Sequence, residues 1–185
     1  RSVYHEYEYQ SRDGLINIDL HWRLLPRVYP TAIPDAVVWR NLVTLSLDND
    51  LHFDSFSNEL TLVYLCIHAA KDGWSELKWA LDISELVCRP GQLDWDRIHA
   101  FATQFHCRKM LRAGLLMAQW LTGVAIPAGA IDPAMTSRSL QRTLTRLQGR
   151  LMSRPGRKHA RMPCFGINRT YLRLCDRISD QLVYV

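Results

Sequence analysis

The chain has 185 residues and a mass of 21.5 kDa, with 48% hydrophobic and 22% charged residues. This composition excludes a disordered chain, a low-complexity array and a disulfide-stabilised miniprotein. No apolar run approaches the roughly 18 residues that a membrane-spanning helix needs, so none is predicted. The net charge of +5 conceals an asymmetry, because residues 1–100 carry 9 Lys and Arg against 15 Asp and Glu, whereas residues 101–185 carry 14 against 3. The second part is therefore suited to an anionic partner.

A β-hairpin is predicted first, with strands over residues 3–10 and 15–22, because the Asp13-Gly14 pair between them is a strong turn signal. In the second strand apolar residues alternate with polar ones: Ile16, Ile18, Leu20 and Trp22 against Asn17, Asp19 and His21. We expect the apolar face to join the core and, by spacing alone, the polar face to lie against solvent. After three prolines, residues 36–54 are predicted as a short apolar segment plus a loop.

From residue 57 onward the apolar period becomes that of helices. Four helices are predicted, over about residues 58–71, 76–89, 94–105 and 108–122. The first three begin at capping side chains, namely Ser57 or Asn58, Ser75 and Asp94. The fourth is apolar almost all round and is the best candidate for a buried helix.

A basic helix is predicted over about residues 136–152, followed by a basic loop over 157–163 and an amphipathic segment over about 168–183. Leucines form the apolar face of this helix, at Leu140, Leu144, Leu147 and Leu151. Arginines recur every four residues on the opposite side: Arg138, Arg142, Arg146, Arg150 and, if the helix continues, Arg154. Such spacing stacks side chains in one stripe. The stripe is either a solvated face or a site for RNA, a polyphosphate or a phospholipid surface.

The motifs of several common enzyme classes are absent from the sequence. Without G-x-G-x-x-G, G-x-x-x-x-G-K-[ST], H-E-x-x-H or G-x-S-x-G, it gives no support to dinucleotide binding, P-loop chemistry, zincins or α/β-hydrolases. The five cysteines contain no C-x-x-C and suit a reducing compartment. We therefore expect a cytoplasmic protein.

The predicted helices on either side of Gly73 are dense in aromatic and charged residues. By spacing alone, Lys71, Lys78 and Asp82 form surface ion pairs there. His68, one turn before Lys71, is expected to be a core histidine with satisfied hydrogen bonds; the alternative is that it lines the same cleft as Lys71.

An ordered set of short motifs runs through this part of the chain: Asp19-Leu20-His21-Trp22, Leu65-Cys66-Ile67-His68-Ala69-Ala70-Lys71, Leu77-Lys78-Trp79, Asp82-Ile83, Leu93-Asp94-Trp95-Asp96 and Leu121-Thr122-Gly123. The set resembles a bacterial family of uncharacterised nucleotidyltransferases in the polymerase-β-like superfamily, over roughly residues 4–127. We therefore expect an α+β protein, in which the N-terminal β-hairpin is the remnant of a nucleotidyltransferase lobe (residues 1–56). A mainly α-helical domain follows (residues 57–185, with a basic tail over 136–185).

The resemblance implies transfer of a nucleoside monophosphate from an NTP to a hydroxyl-bearing acceptor. Asp19 matches the third carboxylate of the superfamily, which implies that it binds Mg²⁺, or Mn²⁺, and helps to deprotonate the attacking hydroxyl. Lys71, Lys78 and His21 are the residues expected to bind the NTP, since a lysine neutralises triphosphate as a point charge.

Two superfamily motifs depart from the expected pattern. There is no Gly-Ser dipeptide, and the Asp-x-Asp triplets at residues 48–50 and 94–96 follow Asp19 instead of preceding it. The first residue is Arg1 and not Met. We therefore expect the nucleotide-binding half to lie upstream or on a partner chain, and residues 1–185 to be catalytically incomplete. The alternatives are a non-catalytic binding or scaffold protein with a nucleotidyltransferase-derived helical domain, and an anion- or RNA-binding module over Arg138–Arg161.

Overall fold

The computed structural model describes residues 6–47, 50–89, 93–132, 137–153 and 169–182. Within them, two separate two-stranded antiparallel sheets come before most of the helices. The predicted α+β class, with an N-terminal hairpin ahead of a mainly helical part, is confirmed. Arg154 and the predicted basic loop over 157–163 lie outside the described residues.

The first hairpin pairs β1 (Glu6–Gln10) with β2 (Asn17–His21), as the sequence predicts. The connection spans residues 11–16, so it is longer than a tight two-residue turn. The Ser11 N–H donates to the Ile16 carbonyl at 2.9 Å and closes the loop. Gly14 has a φ of +72°, which explains why glycine follows Asp13 here.

The apolar face of this hairpin does not join the core, so that prediction is wrong. Ile18 and Leu20 are 57% and 55% exposed, and the facing Tyr9 and Tyr7 are exposed as well. Tyr7 also contacts Trp22, with ring centroids 4.8 Å apart. The alternating pattern identified which residues share a face, but it carries no information on whether another element covers that face.

The predicted apolar segment and loop over 36–54 is also wrong, because this region contains a second hairpin. A short helix α1 (Asp35–Arg40) leads into β3 (Leu42–Leu47), which pairs with β4 (Leu51–Phe56). Thr44 donates a hydrogen bond to the facing Asp54 at 2.8 Å. On the other face, Leu45 lies opposite Phe53 and both are exposed.

The remaining described elements are helices: α2 (Asn58–Lys71), α3 (Lys78–Cys88), α4 (Trp95–Gln104), α5 (Arg108–Thr122), α6 (Arg138–Met152), α7 (Arg169–Leu174) and α8 (Ile178–Leu182). Ser57 and Asp94 cap α2 and α4 as predicted. The predicted cap at Ser75 is wrong, because α3 begins at Lys78, follows Leu77 and has no side-chain cap. The segment predicted over 168–183 divides into α7 and α8. No described helix is long and apolar enough to cross a membrane.

The core is centred on α2 and α5, which confirms that α5 is buried. Leu62 and Ile67 of α2 are inaccessible to solvent, and so are Met110 and Leu115 of α5. Gly114 of α5 faces the side chains of Cys66 on α2 and Ile83 on α3, where a Cβ atom would meet both. Glycine therefore allows the three helices to approach closely.

The N-terminus of α5 is capped by a residue distant in sequence. The Asp176 carboxylate accepts hydrogen bonds from the backbone N–H groups of Arg108 at 2.7 Å and Lys109 at 2.9 Å. Lys109 Nζ donates in turn to the Cys175 carbonyl at 2.8 Å. A carboxylate at this position satisfies two amides that have no partner within the helix and interacts favourably with the helix dipole. The contact also fastens the segment after α7 to the core.

Candidate functional site

The polar face of the first hairpin carries the predicted residues Asp19 and His21. The strand register places His21 opposite Glu6, and Asp19 opposite Glu8. His21 Nε2 lies 3.1 Å from Glu6 Oε2. Asp19 and Glu8 therefore put two carboxylates at facing positions on the surface, where like charges repel each other.

A row of polar side chains runs along α2 toward its C-terminal end. Tyr64 and His68 are one turn apart, with ring centroids separated by 5.5 Å, and Asp72 follows at the C-cap. His68 Nδ1 lies 3.6 Å from Asp72 Oδ2, which is within ion-pair range but too long for a hydrogen bond. Lys71 Nζ lies 3.1 Å from Asp72 Oδ1. One carboxylate thus lies between an ammonium and an imidazole.

Burial lowers the pKa of His68 to about 4, because the imidazolium would lose its hydration. The Asp72 carboxylate opposes this shift, whereas the positive charges of Lys71, His21 and Lys78 add to it. His68 is therefore neutral at neutral pH. Each of these three residues is therefore close enough to act electrostatically on the His68 imidazole.

The hairpin lies beside this row, as the neighbouring tyrosine also indicates. Burial raises the pKa of Tyr64 to about 12, and the carboxylates of Asp72 and Glu6 contribute to the shift. Asp72 comes from the end of α2, but Glu6 belongs to β1. The polar face of the hairpin and the exposed side of α2 thus share one electrostatic environment.

The turn between α2 and α3 forms the other side of the site. Gly73 and Trp74 both have positive φ, +65° and +55°, and this reversal buries the Trp74 side chain completely. Trp79 then packs edge-on against His68, with centroids 4.6 Å apart. Lys78 Nζ lies 4.6 Å from the centroid of the Trp79 ring and 3.1 Å from Glu76 Oε2.

We call this group of side chains the His68 cluster: His21, Tyr64, His68, Lys71, Asp72, Lys78 and Trp79. It brings together three of the four residues predicted to form the site. The fourth, Asp19, lies two positions before His21 on the same strand face and has Glu8 as its neighbour. The structure thus divides the predicted residues between the cluster and the exposed part of the hairpin.

Some predictions for these residues were wrong or incomplete. Lys71 and Lys78 pair with Asp72 and Glu76, not with Asp82. His68 is not a satisfied core histidine, because its buried Nδ1 has no hydrogen-bond partner among the described residues. Sequence reasoning missed Tyr64 entirely. The spacing of four residues from Tyr64 to His68, and again to Asp72, was the signal that one helix face carries all three.

A profile of the family described as Uncharacterised nucleotidyltransferase matches residues 2–123. The chain belongs to this family. The match contains both hairpins and the helices α1 to α5, and it ends at Gly123, the C-cap of α5. No curated protein and no solved structure matches the chain.

Nucleotidyltransferases of the superfamily that this chain resembles use divalent metal ions, so the donor set of this family member bears on its chemistry. Asp19 and Glu8 offer carboxylate oxygens, the ligand type that Mg²⁺ prefers. Among the described residues, however, no three or more His, Cys, Asp or Glu side chains are grouped so that they could hold a metal ion. The described residues therefore supply carboxylate donors but do not form a complete metal site.

The predicted arginine stripe lies outside the family match. Arg138, Arg142 and Arg146 are exposed on α6, and Arg150 donates a hydrogen bond to the Gly73 carbonyl. The structure adds a second row that sequence reasoning missed. The helix α7 packs against α6 and carries two exposed arginines four residues apart, Arg169 and Arg173. We call Arg138, Arg142, Arg146, Arg169 and Arg173 the basic surface; neither α6 nor α7 contains an acidic residue.

Proposed function

We propose that this protein takes part in transferring a nucleoside monophosphate from an NTP to a hydroxyl-bearing acceptor, and that the His68 cluster lines its NTP site. Membership of the nucleotidyltransferase family supports the reaction class. The observation that carries the site assignment is the packing around His68. Lys71 pairs with the Asp72 carboxylate, which lies 3.6 Å from His68 Nδ1, and Lys78 lies against the Trp79 ring that packs on the imidazole. His21 on the first hairpin also contributes to the lowered pKa of His68, and a group with a shifted pKa among such residues is typical of a functional site.

In this proposal the two lysines neutralise the triphosphate. Each ammonium is a compact charge that can exchange its present carboxylate partner, Asp72 for Lys71 and Glu76 for Lys78, for a phosphate oxygen. His68 remains neutral, so it orients a hydroxyl or a nucleotide by hydrogen bonding and adds no charge.

Asp19 is proposed as one carboxylate ligand of Mg²⁺ or Mn²⁺, with Glu8 beside it. A divalent ion stabilises the charge that develops during phosphoryl transfer and helps to activate the attacking hydroxyl. The other ligands and the triphosphate-binding Gly-Ser turn belong, in this proposal, to a nucleotide-binding half on another segment or on a partner chain. We propose the same division as the sequence suggests, a lobe remnant over residues 1–56 and a helical domain over 57–185, in a cytoplasmic protein.

Isothermal titration with ATP, with and without MgCl₂, tests this proposal. Lys71→Gln should weaken ATP binding about tenfold under both conditions, because it removes one charged contact. Asp19→Asn should weaken binding only when Mg²⁺ is present. Asp96→Asn, an exposed acid on α4, is the matched control and should bind ATP as the wild type does.

Three outcomes would count against the proposal. Unchanged affinity in Lys71→Gln would remove the cluster from the NTP site, and equal Mg²⁺ dependence in Asp19→Asn would remove Asp19 from the metal site. No heat of ATP binding under either condition would favour the non-catalytic binding or scaffold protein, an alternative that the missing Gly-Ser and Asp-x-Asp motifs support.

The second row of arginines favours a second function, the binding of RNA through its phosphates by the basic surface. Guanidinium groups pair well with phosphate, and the basic surface presents five of them on two adjacent helices with no acid on either helix. If all five contact phosphates, log K for single-stranded RNA should fall with log salt concentration at a slope of about −3.5. Arg142→Glu combined with Arg173→Glu should weaken binding more than tenfold in a fluorescence anisotropy titration.

Arg89→Glu, at the exposed C-cap of α3, is the control for that titration. Polyglutamate that competes as well as RNA would indicate an acidic protein as the partner and contradict the RNA assignment. Salt-independent binding would contradict any role for the basic surface.

A further inference from the structure

A cavity of about 320 Å³ lies away from the His68 cluster, between α4, the first turns of α5 and the loop over residues 129–132. None of the cluster residues lines it. Its volume is at the lower end of the range for small-molecule sites, roughly 300–1,000 Å³. Its walls carry both charged and apolar groups.

Two contacts hold the loop in place across the cavity. His99 Nε2 on α4 hydrogen bonds with the Gly129 carbonyl at 2.9 Å, and Arg112 on α5 donates to the Asp132 carbonyl. Gly129 has a φ of +86°, which lets the chain reverse there. The cavity is therefore bounded by two helices and by a loop tied to each of them.

The charged groups on the walls favour an anion. Two arginines, Arg108 and Arg112, line the cavity together with one acidic residue, Asp132. Outside the cavity, Arg108 Nε lies 3.8 Å from Asp176 Oδ2. The Asp176 oxygens already accept the backbone N–H groups at the start of α5. The lining thus has an excess of one positive charge.

The rest of the wall is apolar. Leu111 and Ile131 line the cavity between the charged groups, and Leu111 is almost completely buried. A bare inorganic anion would leave this surface without a partner. Two arginines beside an apolar wall suit a small molecule that has an oxyanion at one end and an apolar group at the other.

We propose that this cavity binds such a molecule, with Arg108 and Arg112 pairing to a phosphate or carboxylate group and Leu111 and Ile131 contacting its apolar part. The two guanidinium groups belong to residues four apart on α5, which places them on one helix face. The site is independent of the proposed NTP site, since the two have no residue in common.

Titration calorimetry with three probes of one shape, in the absence of divalent cations, tests the proposal. Phenyl phosphate or benzoate should bind, and benzyl alcohol, which has no charge, should not. The tighter of the two anions identifies the natural group as phosphate or carboxylate. Arg108→Gln and Arg112→Gln should each weaken the binding about tenfold or more, because each removes a charge-assisted contact.

Three further variants keep the test decisive if loss of Arg112 shifts the loop. Thr103→Phe places a large side chain at the cavity from an exposed position and should block the probes while both arginines remain. Arg89→Gln, at the exposed C-cap of α3, should bind the probes as the wild type does. Lys71→Gln, which is expected to weaken ATP binding with or without Mg²⁺, should also leave the affinity for the probes unchanged, which separates this site from the proposed NTP site.

The proposal is overturned if neither anion binds, if benzyl alcohol binds as tightly as the anions, or if both arginine variants and Thr103→Phe keep the affinity of the wild type. A loss of affinity in Lys71→Gln equal to that in Arg112→Gln would also overturn it, since the anions would then bind at the proposed NTP site.

Discussion

The hydroxyl oxygen of Tyr171 accepts a hydrogen bond from the backbone N–H of Thr31, at 3.2 Å, and so joins two residues that are 140 positions apart. Tyr29 packs edge-on against the same ring, with centroids 4.7 Å apart. The contact fastens the segment after the first hairpin to α7, which lies beyond the family match. The C-terminal helices are therefore integrated with the family fold and are not a separate appendage.

Tyr171→Phe should destabilise the protein by about 1–3 kcal/mol, because it leaves the buried Thr31 N–H without its acceptor. Urea unfolding followed by circular dichroism measures the change. Tyr9→Phe removes a hydroxyl from an exposed ring and should change stability by less than about 0.5 kcal/mol. Equal effects of the two substitutions would show that the hydrogen bond adds nothing.

Two glycine-to-alanine substitutions should have opposite effects. In Gly114→Ala the new Cβ would overlap with Cys66 Sγ and lie 3.2 Å from Ile83 Cδ1, so we expect a loss of about 1–3 kcal/mol. In Gly149→Ala on α6, no atom lies within 4 Å of the new Cβ, and alanine should stabilise the helix by about 0.5–1 kcal/mol.

Thermal or urea unfolding measures the stability of both variants. Adding Cys66→Ala to Gly114→Ala should restore part of the lost stability, because it removes the Sγ atom that the new Cβ overlaps. A tolerated Gly114→Ala would mean that α5 can move away from α2 at little cost.

The buried His68 should make stability depend on pH. Its pKa in the folded state is about 4, below the unfolded value of about 6.5, so the unfolded state binds the proton more readily. Its contribution is fully present above about pH 6.5, is lost as the pH falls toward 4, and amounts to roughly 3 kcal/mol at most.

His68→Gln should remove this part of the pH dependence. The measurement is a series of urea unfolding curves for both proteins between pH 4 and 7.5, with the His68 imidazole resonances followed by NMR. If the stability of His68→Gln falls with decreasing pH at the same slope as that of the wild type, the pH dependence does not come from His68.

Asp176→Ala should destabilise the protein by about 1–2 kcal/mol, because the first amides of α5 lose their cap and the helix dipole loses a favourable charge. Amide hydrogen exchange at Arg108 and Lys109 should become faster than in the wild type. Asp82→Ala, on the exposed surface of α3, serves as the comparison and should leave both amides protected.

Local signals predicted much of the fold. The Asp13-Gly14 pair predicted the first hairpin, and Ser57 and Asp94 predicted the starts of α2 and α4, because each acts on residues a few positions away. Longer-range effects were not predictable in this way. The start of α3 is set by the turn that buries Trp74, and a local capping rule at Ser75 could not anticipate it.

Less of the candidate site was predictable. Resemblance to the family supplied Asp19, His21, Lys71 and Lys78 as site residues, and no spacing rule would have grouped a strand with a helical turn. The central position of His68 depends on burial between Tyr64 and Trp79, which exists only once the elements are packed. Its unusual protonation therefore could not be deduced from the sequence.

The first hairpin has two strands and one apolar face open to solvent, and a two-stranded sheet is marginally stable without a covering partner. Its strands should thus open at a lower free energy than α2 and α5, and amides of β2 should exchange with solvent earlier than those of the core. Asp19 and His21 lie on this readily opened element, whereas Lys71 lies at the end of a stable helix. A nucleotide that contacts both would bind partly by holding the hairpin closed, so its affinity includes the free energy of that closure.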